Sequence, residues 1–215
     1  MKQNQILTIL LIPFFPILLN DAFAEEYESK DGHNIGHLQQ VIKQCEACHA
    51  SNSEIPSTAP VLDGIEAWYL LEQLHNFSNN ARGFASTNPI ITEMSRQAQG
   101  LDDRQLTHIA NYYSDRDAIF SKETVLGNSE SGENIYKESC EGCHASFFGR
   151  FFTGSPKIAY LEGPYLLAQL KLFAADNRLF LEANKHKNKM IEVTKRFSDE
   201  ELSDIVAYIK SHLNE

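Results

Sequence analysis

Two short cysteine motifs carry the clearest chemistry in this sequence. Each reads Cys-x-x-Cys-His, at Cys45, Cys48 and His49 and again at Cys140, Cys143 and His144. Two thiols at this spacing share one helical turn and can form thioethers to both vinyl groups of one porphyrin, with the following histidine beneath the iron. This is the attachment signature of c-type haem. The sequence therefore predicts two covalently attached haem c groups, with the four cysteines as attachment points and the two histidines as proximal iron ligands.

Other uses of four cysteines fit this pattern less well. Disulfides within the motifs would close loops too short to stabilise much, and they would not need the histidines. A zinc ribbon places its two cysteine pairs about 15–20 residues apart, whereas Cys45 and Cys140 are 95 residues apart. A thioredoxin-like redox site has one such motif in a βαβ setting, and the surroundings here are helical in pattern.

Methionine is scarce, and its positions supply candidates for the remaining axial ligands. Apart from Met1 the chain contains only Met94 and Met190, which follow the two motif histidines at nearly equal distances. A thioether is a soft, neutral ligand that favours reduced iron, so we predict His/Met ligation at both irons. The alternative is that both methionines fill gaps in apolar cores. His186, four residues before Met190, is the rival ligand, but it has no counterpart in the first half and is interpreted as surface or structural.

Three further pairs of residues occupy equivalent places around the motifs. They are Pro60 and Pro156, Tyr69 and Tyr165, and Arg82 and Arg178. The proline carbonyls are candidates to accept a hydrogen bond from the proximal histidines, or the prolines belong to ordinary turns. The arginines would pair with haem propionates or lie solvated at the surface. The tyrosines would hydrogen-bond a propionate or pack on the macrocycle edge.

An internal repeat organises the chain. Cys45 and Cys140 are offset by 95 residues, and from Pro60 and Pro156 onward the offset is 96 and holds to the end of the chain. One residue inserted before Pro156 explains the change. A unit of this length is too long for a solenoid repeat, so the chain is predicted to contain two copies of one small domain.

The pattern within each copy is helical, and no segment predicts a strand convincingly. We expect helices over 35–44, over 65–77 and from 102 onward, and in the second copy over 132–139, over 165–173 and from 198 onward. Leu70, Leu74 and Phe77 form one apolar helical face at positions i, i+4 and i+7. Asp102 and Ser198 stand three residues before a glutamine and a glutamate, the pattern of a capping box.

Residues 1–24 have the pattern of a secretory signal peptide. Lys2 precedes an apolar run from Ile6 to Leu19 and an Ala-Phe-Ala cleavage site that ends at Ala24. We expect cleavage there and a periplasmic location, which fits haem attachment outside the cytoplasm, while an uncleaved anchor is the alternative. The rest of the chain is predicted to form a first domain over 25–114, a linker over 115–131 and a second domain over 132–215.

The net charge limits which partners the chain can bind, and the length of each domain limits how large its apolar core can be. Its 215 residues include 19 Lys and Arg against 29 Asp and Glu, a formal net charge of −10. This balance argues against nucleic acid as a partner and favours docking to a basic or locally basic protein surface. A domain of about 90 residues has a thin apolar core, so we expect the haem-free chain to fold poorly.

The order of these motifs resembles that of a known family. Cys-x-x-Cys-His, a proline, Tyr-x-x-x-Gln-Leu-x-x-Phe, an arginine and a methionine occur twice, with the tyrosines at Tyr69 and Tyr165. In this the chain resembles the di-haem cytochrome c4 family of class I cytochromes c. The resemblance implies an all-α fold of two tandem cytochrome c-like domains related by pseudo-twofold symmetry. It also implies His49/Met94 and His144/Met190 ligation, with the two proline carbonyls holding the histidines.

The function implied by the resemblance is electron transfer rather than catalysis. A periplasmic carrier of this kind would accept electrons from a quinol–cytochrome c reductase or a dehydrogenase and deliver them to an acceptor such as a terminal oxidase, with loose association with a membrane surface also possible. One alternative is a cytochrome subunit held in a dehydrogenase complex, for which the sequence features would be identical. Another is a di-haem peroxidase-like enzyme, which needs an open iron and which the matched methionines disfavour.

One segment departs from the family pattern. Where family members usually have a glycine-rich loop after each haem motif, residues 147–152 read Phe-Phe-Gly-Arg-Phe-Phe and the first copy reads Ala-Ser-Asn-Ser-Glu over 50–54. The phenylalanines would form an exposed docking patch or a local cluster over the haem edge, and we favour the cluster slightly.

Overall fold

Helices supply all the regular secondary structure that the described residues contain. The structure is a computed structural model that describes residues 37–50, 59–83, 88–182 and 184–212, so the predicted signal segment and most of the loop after the first motif lie outside it. Residues 41–215 form one compact unit, and only 37–40 of the other unit, Met1–Gln40, are described. Within the described ranges no helix is long and apolar enough to cross a membrane.

Ten α-helices follow one another along the described chain. The first half contains α1 (37–49), α2 (Ala67–Ser78), α3 (Pro89–Gln99) and α4 (Asp103–Ser114). The second half contains α5 (Ser129–Ser139), α6 (Glu141–His144), α7 (Phe147–Thr153), α8 (Gly163–Ala174), α9 (Lys185–Thr194) and α10 (Asp199–His212). By the repeat offset α2, α3 and α4 correspond to α8, α9 and α10, so the all-α, two-copy expectation is confirmed.

The helix starts are set by side chains that satisfy free backbone N–H groups. Asp102 and Gln105 form a reciprocal capping box at the start of α4, and Ser198 and Glu201 do the same for α10. Both boxes confirm the sequence prediction. Each cap accepts hydrogen bonds that the first helical turn cannot make internally, which stabilises a helix by about 1 kcal/mol.

The core of each half is built where the last helix crosses the others. In the second half α10 packs on α5 and α8, and Leu202, Val206 and Ile209 are almost fully buried there. In the first half α2 packs on α3 and α4, and Leu106 and Ile109 have the corresponding role. Leu70, Leu74 and Phe77, the apolar face expected from residue spacing on α2, are buried as well.

Three elements differ from the sequence-based expectation. Helix α5 begins at Ser129, inside the stretch predicted as linker, because the side chain of Asn128 caps it. Helices α3 and α9, which carry the two methionines, were not predicted, since few of their residues are buried and their apolar periodicity is weak. The segment expected as a phenylalanine loop is the helix α7, capped at its start by Ser146.

Candidate functional site

The first cavity lies between α2, α3, α4 and α8 and receives His49 from the end of α1. It has a volume of about 640 Å³, within the range of small-molecule and cofactor sites. His49 and Met94 both line it, as do Pro60, Tyr69 and Arg82. Cys45 and Cys48 are half-buried on the same helix as His49 but are not among the residues that line this cavity.

The second cavity is smaller and is lined by the equivalent side chains, with both motif thiols in addition. It has a volume of about 160 Å³ and is lined by both thiols of the second motif together with His144, Met190, Pro156, Tyr165 and Arg178. His186 also lines this cavity, so the rival ligand named from the sequence lies near Met190 in space as well as in the chain. The structure thus brings all predicted residues of the second half to one site.

Both motif histidines are held by a proline carbonyl, as the sequence suggested. Nδ1 of His49 donates to the carbonyl oxygen of Pro60 at 2.7 Å, and Nδ1 of His144 donates to that of Pro156 at 3.4 Å. Because a carbonyl only accepts, the proton must lie on Nδ1, which leaves Nε2 with a free lone pair. This is the tautomer that an iron ligand needs, and the bond also fixes the orientation of the ring.

Burial keeps both imidazoles neutral. Desolvation lowers the pKa of His49, against the opposing effect of its bond to Pro60. Desolvation likewise lowers the pKa of His144 to about 4, with the Arg150 charge adding to the effect. The neutral form is the one that binds a metal, so each ring is suited to iron ligation at neutral pH.

Cys45 and Cys140 have the character of buried thiols rather than of redox or metal sites. All four are free, and burial raises the pKa of Cys45 to about 11 and that of Cys140 to about 12. Such thiols are poor nucleophiles and poor ligands for a bare metal. No group of three or more His, Cys, Asp or Glu side chains in the described ranges could hold a metal ion. The disulfide and zinc alternatives therefore find no support.

Two buried arginines join the halves of the chain. Arg82 and Arg178 are only 7 % and 4 % exposed, so the alternative of solvated surface arginines is wrong. Arg82 donates to Oε1 of Gln73 in its own half at 2.8 Å and to Oε1 of Gln169 in the other half at 2.9 Å. Arg178 donates to Gln169 and, across the halves, to Gln73 at 3.1 Å. The two arginines thus share both glutamines with pseudo-twofold symmetry.

The two tyrosines complete this cluster, each against the arginine of the other half. Arg82 approaches the hydroxyl of Tyr165 at 3.4 Å, and Arg178 donates to the hydroxyl of Tyr69 at 3.1 Å. Each guanidinium also stacks on a phenylalanine of its own half, Arg82 on Phe77 and Arg178 on Phe173. We call these six residues, Tyr69, Gln73, Arg82, Tyr165, Gln169 and Arg178, the arginine cluster.

The arginine cluster has two positive charges, and its hydrogen-bond partners within the described part of the chain are neutral. Among the described residues no carboxylate pairs with either guanidinium, and Nε of Arg178 is buried without a hydrogen-bond partner. Burial, together with the repulsion of Arg178, lowers the pKa of Arg82. Burying a charge costs several kcal/mol unless an opposite charge compensates it, so nearby haem propionates would stabilise the cluster.

The side chains at both sites therefore suit a c-type haem, although the second cavity, at about 160 Å³, is smaller than the roughly 300–1,000 Å³ of most cofactor sites. Two thiols on one turn, a neutral histidine with a free Nε2, a methionine sulfur and apolar walls match the requirements of a c-type haem. All six residues of the arginine cluster line the first cavity, and all but Arg82 line the second, so its charge lies where haem propionates would neutralise it. The sequence had paired the arginines with propionates, but it had not indicated Gln73 and Gln169, whose only sequence signal was the repeated Gln-Leu.

These two sites on tandem helical halves define a di-haem c-type protein. The sequence model of the cytochrome c family matches residues 39–115 and 129–213, and the chain belongs to this family. Cytochrome c4 of Pseudomonas aeruginosa is 25 % identical over 178 residues, which cover 77 % of this chain and 82 % of the relative. The thiosulfate dehydrogenase electron acceptor of Stutzerimonas stutzeri is 24 % identical over 199 residues, covering 84 % and 86 %.

A solved structure supports the same assignment. Reduced cytochrome c4 from Pseudomonas stutzeri superposes with a TM-score of 0.62 at 25 % identity, over 81 % of this chain and 96 % of that one. The chain is therefore a tandem-domain electron-transfer cytochrome with two covalently bound haem c groups.

Proposed function

We propose that the chain is an exported di-haem electron carrier of a respiratory chain, with His49/Met94 and His144/Met190 as the axial ligands. The observation that supports this most directly is the repeated donor set, in which a neutral histidine and a methionine line each cavity. The haem iron supplies the one-electron chemistry. The polypeptide holds the imidazole, shields the site with apolar walls and compensates buried anionic charge through the arginine cluster.

Two saturated irons would leave the protein no open coordination site. Optical spectra of the purified protein, oxidised and reduced and with carbon monoxide added, test this. We expect the methionine–iron charge-transfer band in the oxidised form and no response of the reduced form to carbon monoxide. Binding of carbon monoxide by half of the haem would show that one methionine is not a stable ligand and would reopen the peroxidase-like alternative.

Export to the periplasm rests on the sequence pattern of residues 1–24. Cell fractionation and intact mass spectrometry test it. The expected product is a periplasmic chain that begins at Glu25 and has the added mass of two haems. A chain that retains Met1 would instead indicate the uncleaved anchor, and one haem would contradict the di-haem assignment.

The physiological partners are proposed from chemistry and from relatives. A quinol–cytochrome c reductase or a dehydrogenase would donate electrons, and a terminal oxidase would accept them. The relative known as a thiosulfate dehydrogenase electron acceptor favours the second candidate, a cytochrome that serves one dehydrogenase. Purification at native expression level discriminates the two: a free carrier elutes alone, whereas a subunit elutes with stoichiometric dehydrogenase.

A further inference from the structure

Helix α7 exposes an unusual apolar surface. Phe147, Phe148, Phe151 and Phe152 are 65, 69, 67 and 71 % exposed, and successive rings contact one another with centroids 5.5–6.1 Å apart. At helical spacing i, i+1, i+4 and i+5 they form one face, which we call the phenylalanine face. None of the four is among the residues that line the second cavity, so the favoured sequence interpretation, a cover over the haem edge, finds no support.

This face is attached rigidly to the second haem-binding turn. Helix α7 packs on α6, and a Cβ built on Gly149 would lie only 2.6 Å from the carbonyl oxygen of Gly142. Only glycine allows so close an approach to the turn that carries Cys143 and His144. The phenylalanine face is therefore held beside the attachment point of the second haem. The first copy has no aromatic residue between His49 and Pro60, so the feature belongs to one haem only.

The face has no free charge of its own. The only charged residue of α7, Arg150, lies on the opposite side, where its Nε is 3.6 Å from Oε1 of Glu66 at the start of α2. Its side chain is largely buried, and that ion pair further ties α7 to the first half. The chain outside the face is strongly acidic, with a net charge of −10.

We propose, building on the electron-carrier function, that the phenylalanine face docks a redox protein whose own cofactor emerges through an uncharged apolar surface. Two-thirds exposure of four rings offers on the order of 500 Å². That matches the small interfaces of transient electron-transfer encounters, which bury less than about 1,200 Å² in total. The position of the phenylalanine face beside the second haem attachment point also favours a redox partner, because electron transfer needs the partner's cofactor close to the haem.

Two other occupants fit the observations less well. A second copy of the chain would need about 800 Å² on each side for a standard interface and would have to overcome the repulsion of two acidic molecules. An interfacial membrane helix has a polar face rich in Lys and Arg, whereas α7 has one arginine, and it is paired with Glu66.

The test uses the holoprotein and a blue-copper probe of the azurin type, chosen because an uncharged apolar surface surrounds its exposed copper ligand. Stopped-flow mixing of reduced cytochrome with oxidised probe gives the second-order rate constant. Changing all four residues, F147Q/F148Q/F151Q/F152Q, should lower this constant roughly tenfold or more, a loss of at least about 1.4 kcal/mol of encounter stabilisation. The smaller change F148Q/F152Q, which keeps the stacked pair Phe147 and Phe151, should give an intermediate loss.

Three controls make the result specific. Leu126→Gln removes an apolar side chain in the linker region that is even more exposed, at 97 %, and should leave the rate constant unchanged. Oxidation by ferricyanide, which needs no docking surface, should be the same in all variants. The wild-type rate should also persist at about 0.5 M salt, because an apolar contact is not screened.

Equal rate constants for wild type and the four-residue variant would overturn the docking proposal. Two other results would also overturn it. One is that the wild type sediments as a dimer and the variant as a monomer; the other is that the wild type floats with phosphatidylcholine vesicles and the variant does not. Either would assign the face to another occupant. Failure of the docking proposal leaves the ferricyanide reaction intact. Failure of the electron-carrier function itself would instead appear as no reversible reduction of the haems.

Discussion

Single side chains decide which oxidation state each iron prefers. His49 and His144 are neutral, oriented donors, and Met94 and Met190 lie in helices on the walls of the same cavities. Their ligation remains a prediction. A neutral thioether raises the potential of a haem relative to a second imidazole, so the methionines are the residues at which the potentials of the two haems can be separated experimentally.

Met94→His and Met190→His should each lower the midpoint potential of one haem only. We expect a change on the order of 0.2 V, within the roughly 0.8 V over which axial ligands vary haem potentials. Spectroelectrochemical titration measures it, and the unaltered haem of the same molecule is the internal control. A titration curve identical to the wild type would remove that methionine from the coordination sphere. In the second half, Met190→Ala compared with the double change H186A/M190A shows whether His186 can replace the lost ligand.

The buried arginines should also tune the potentials. Arg178→Met removes a positive charge that opposes oxidation of the neighbouring haem, so the midpoint potential of that haem should fall. A fall of about 70 mV is expected for unit charges about 10 Å apart at an effective dielectric constant of about 20. Arg196→Met removes an exposed arginine of the same half and should have little effect. Equal shifts in the two variants would mean that the arginine cluster does not act on the haem.

At the scale of elements, close helix crossings position the haem motifs. Gly132 of α5 lies against the backbone of α10, where a Cβ would be 1.9 Å from the carbonyl oxygen of Asp204. Helix α5 leads directly into the turn with Cys140 and His144, so the crossing with α10 places the haem-binding turn relative to the core. A side chain at the crossing would have to push two helices apart.

Gly132→Ala should therefore destabilise the second half by about 3 kcal/mol, the upper part of the usual range for overpacking. Urea denaturation of the holoprotein, followed by absorbance of the haem and by circular dichroism, measures this change. Gly142→Ala is the matched control, because a Cβ there meets nothing within 4 Å and the first motif has Ala47 at the same place. Similar losses in both variants would contradict the role of the crossing.

Across the whole molecule, buried polar contacts link the two halves. Besides the arginine cluster, the backbone N–H of Val61 donates to Oε1 of Glu162 at 3.2 Å, and Arg150 faces Glu66. Oε2 of Glu162 is buried without a hydrogen-bond partner. Burial raises the pKa of Glu162, although hydrogen bonds and the charge of Lys210 act in the opposite direction. Because the pKa of this carboxyl is raised in the folded chain, the free energy of unfolding should depend on pH.

The sign of that dependence follows from proton binding. Because the folded pKa of Glu162 lies above the ordinary value, the folded chain binds the proton more tightly than the unfolded chain. Its contribution to stability is complete below the ordinary pKa of about 4.5 and is lost as pH rises through the higher folded value. Glu162→Gln should flatten this part of the curve of unfolding free energy against pH.

Urea midpoints of the holoprotein at several pH values between about 4.5 and 7 measure the slope. Glu200→Gln, at an exposed position of α10, is the control and should preserve the wild-type slope. Parallel curves for Glu162→Gln and wild type would show that this carboxyl titrates alike in the folded and unfolded chain.

The sequence by itself determined the local chemistry of this protein. The haem motifs and the capping boxes at Asp102 and Ser198 depend on residues near one another in the chain, and the methionines were found because they occupy matched positions of the repeat. Such patterns are readable because helical geometry fixes which neighbours share a face. They were sufficient for the all-α fold, the two-copy organisation and the haem cofactors.

Only the tertiary structure decided which of these residues meet across the molecule. Arg82 and Arg178 contact glutamines and tyrosines about 100 positions away in sequence, and no local periodicity encodes such a pairing. The same holds for the exposure of Phe147, Phe148, Phe151 and Phe152, since an apolar helical face is buried or free according to what packs on it. Burial depends on how the helices assemble. It showed that Arg82 and Arg178 lie in the interior, and that the four phenylalanines, predicted to cover the haem edge, form an exposed surface.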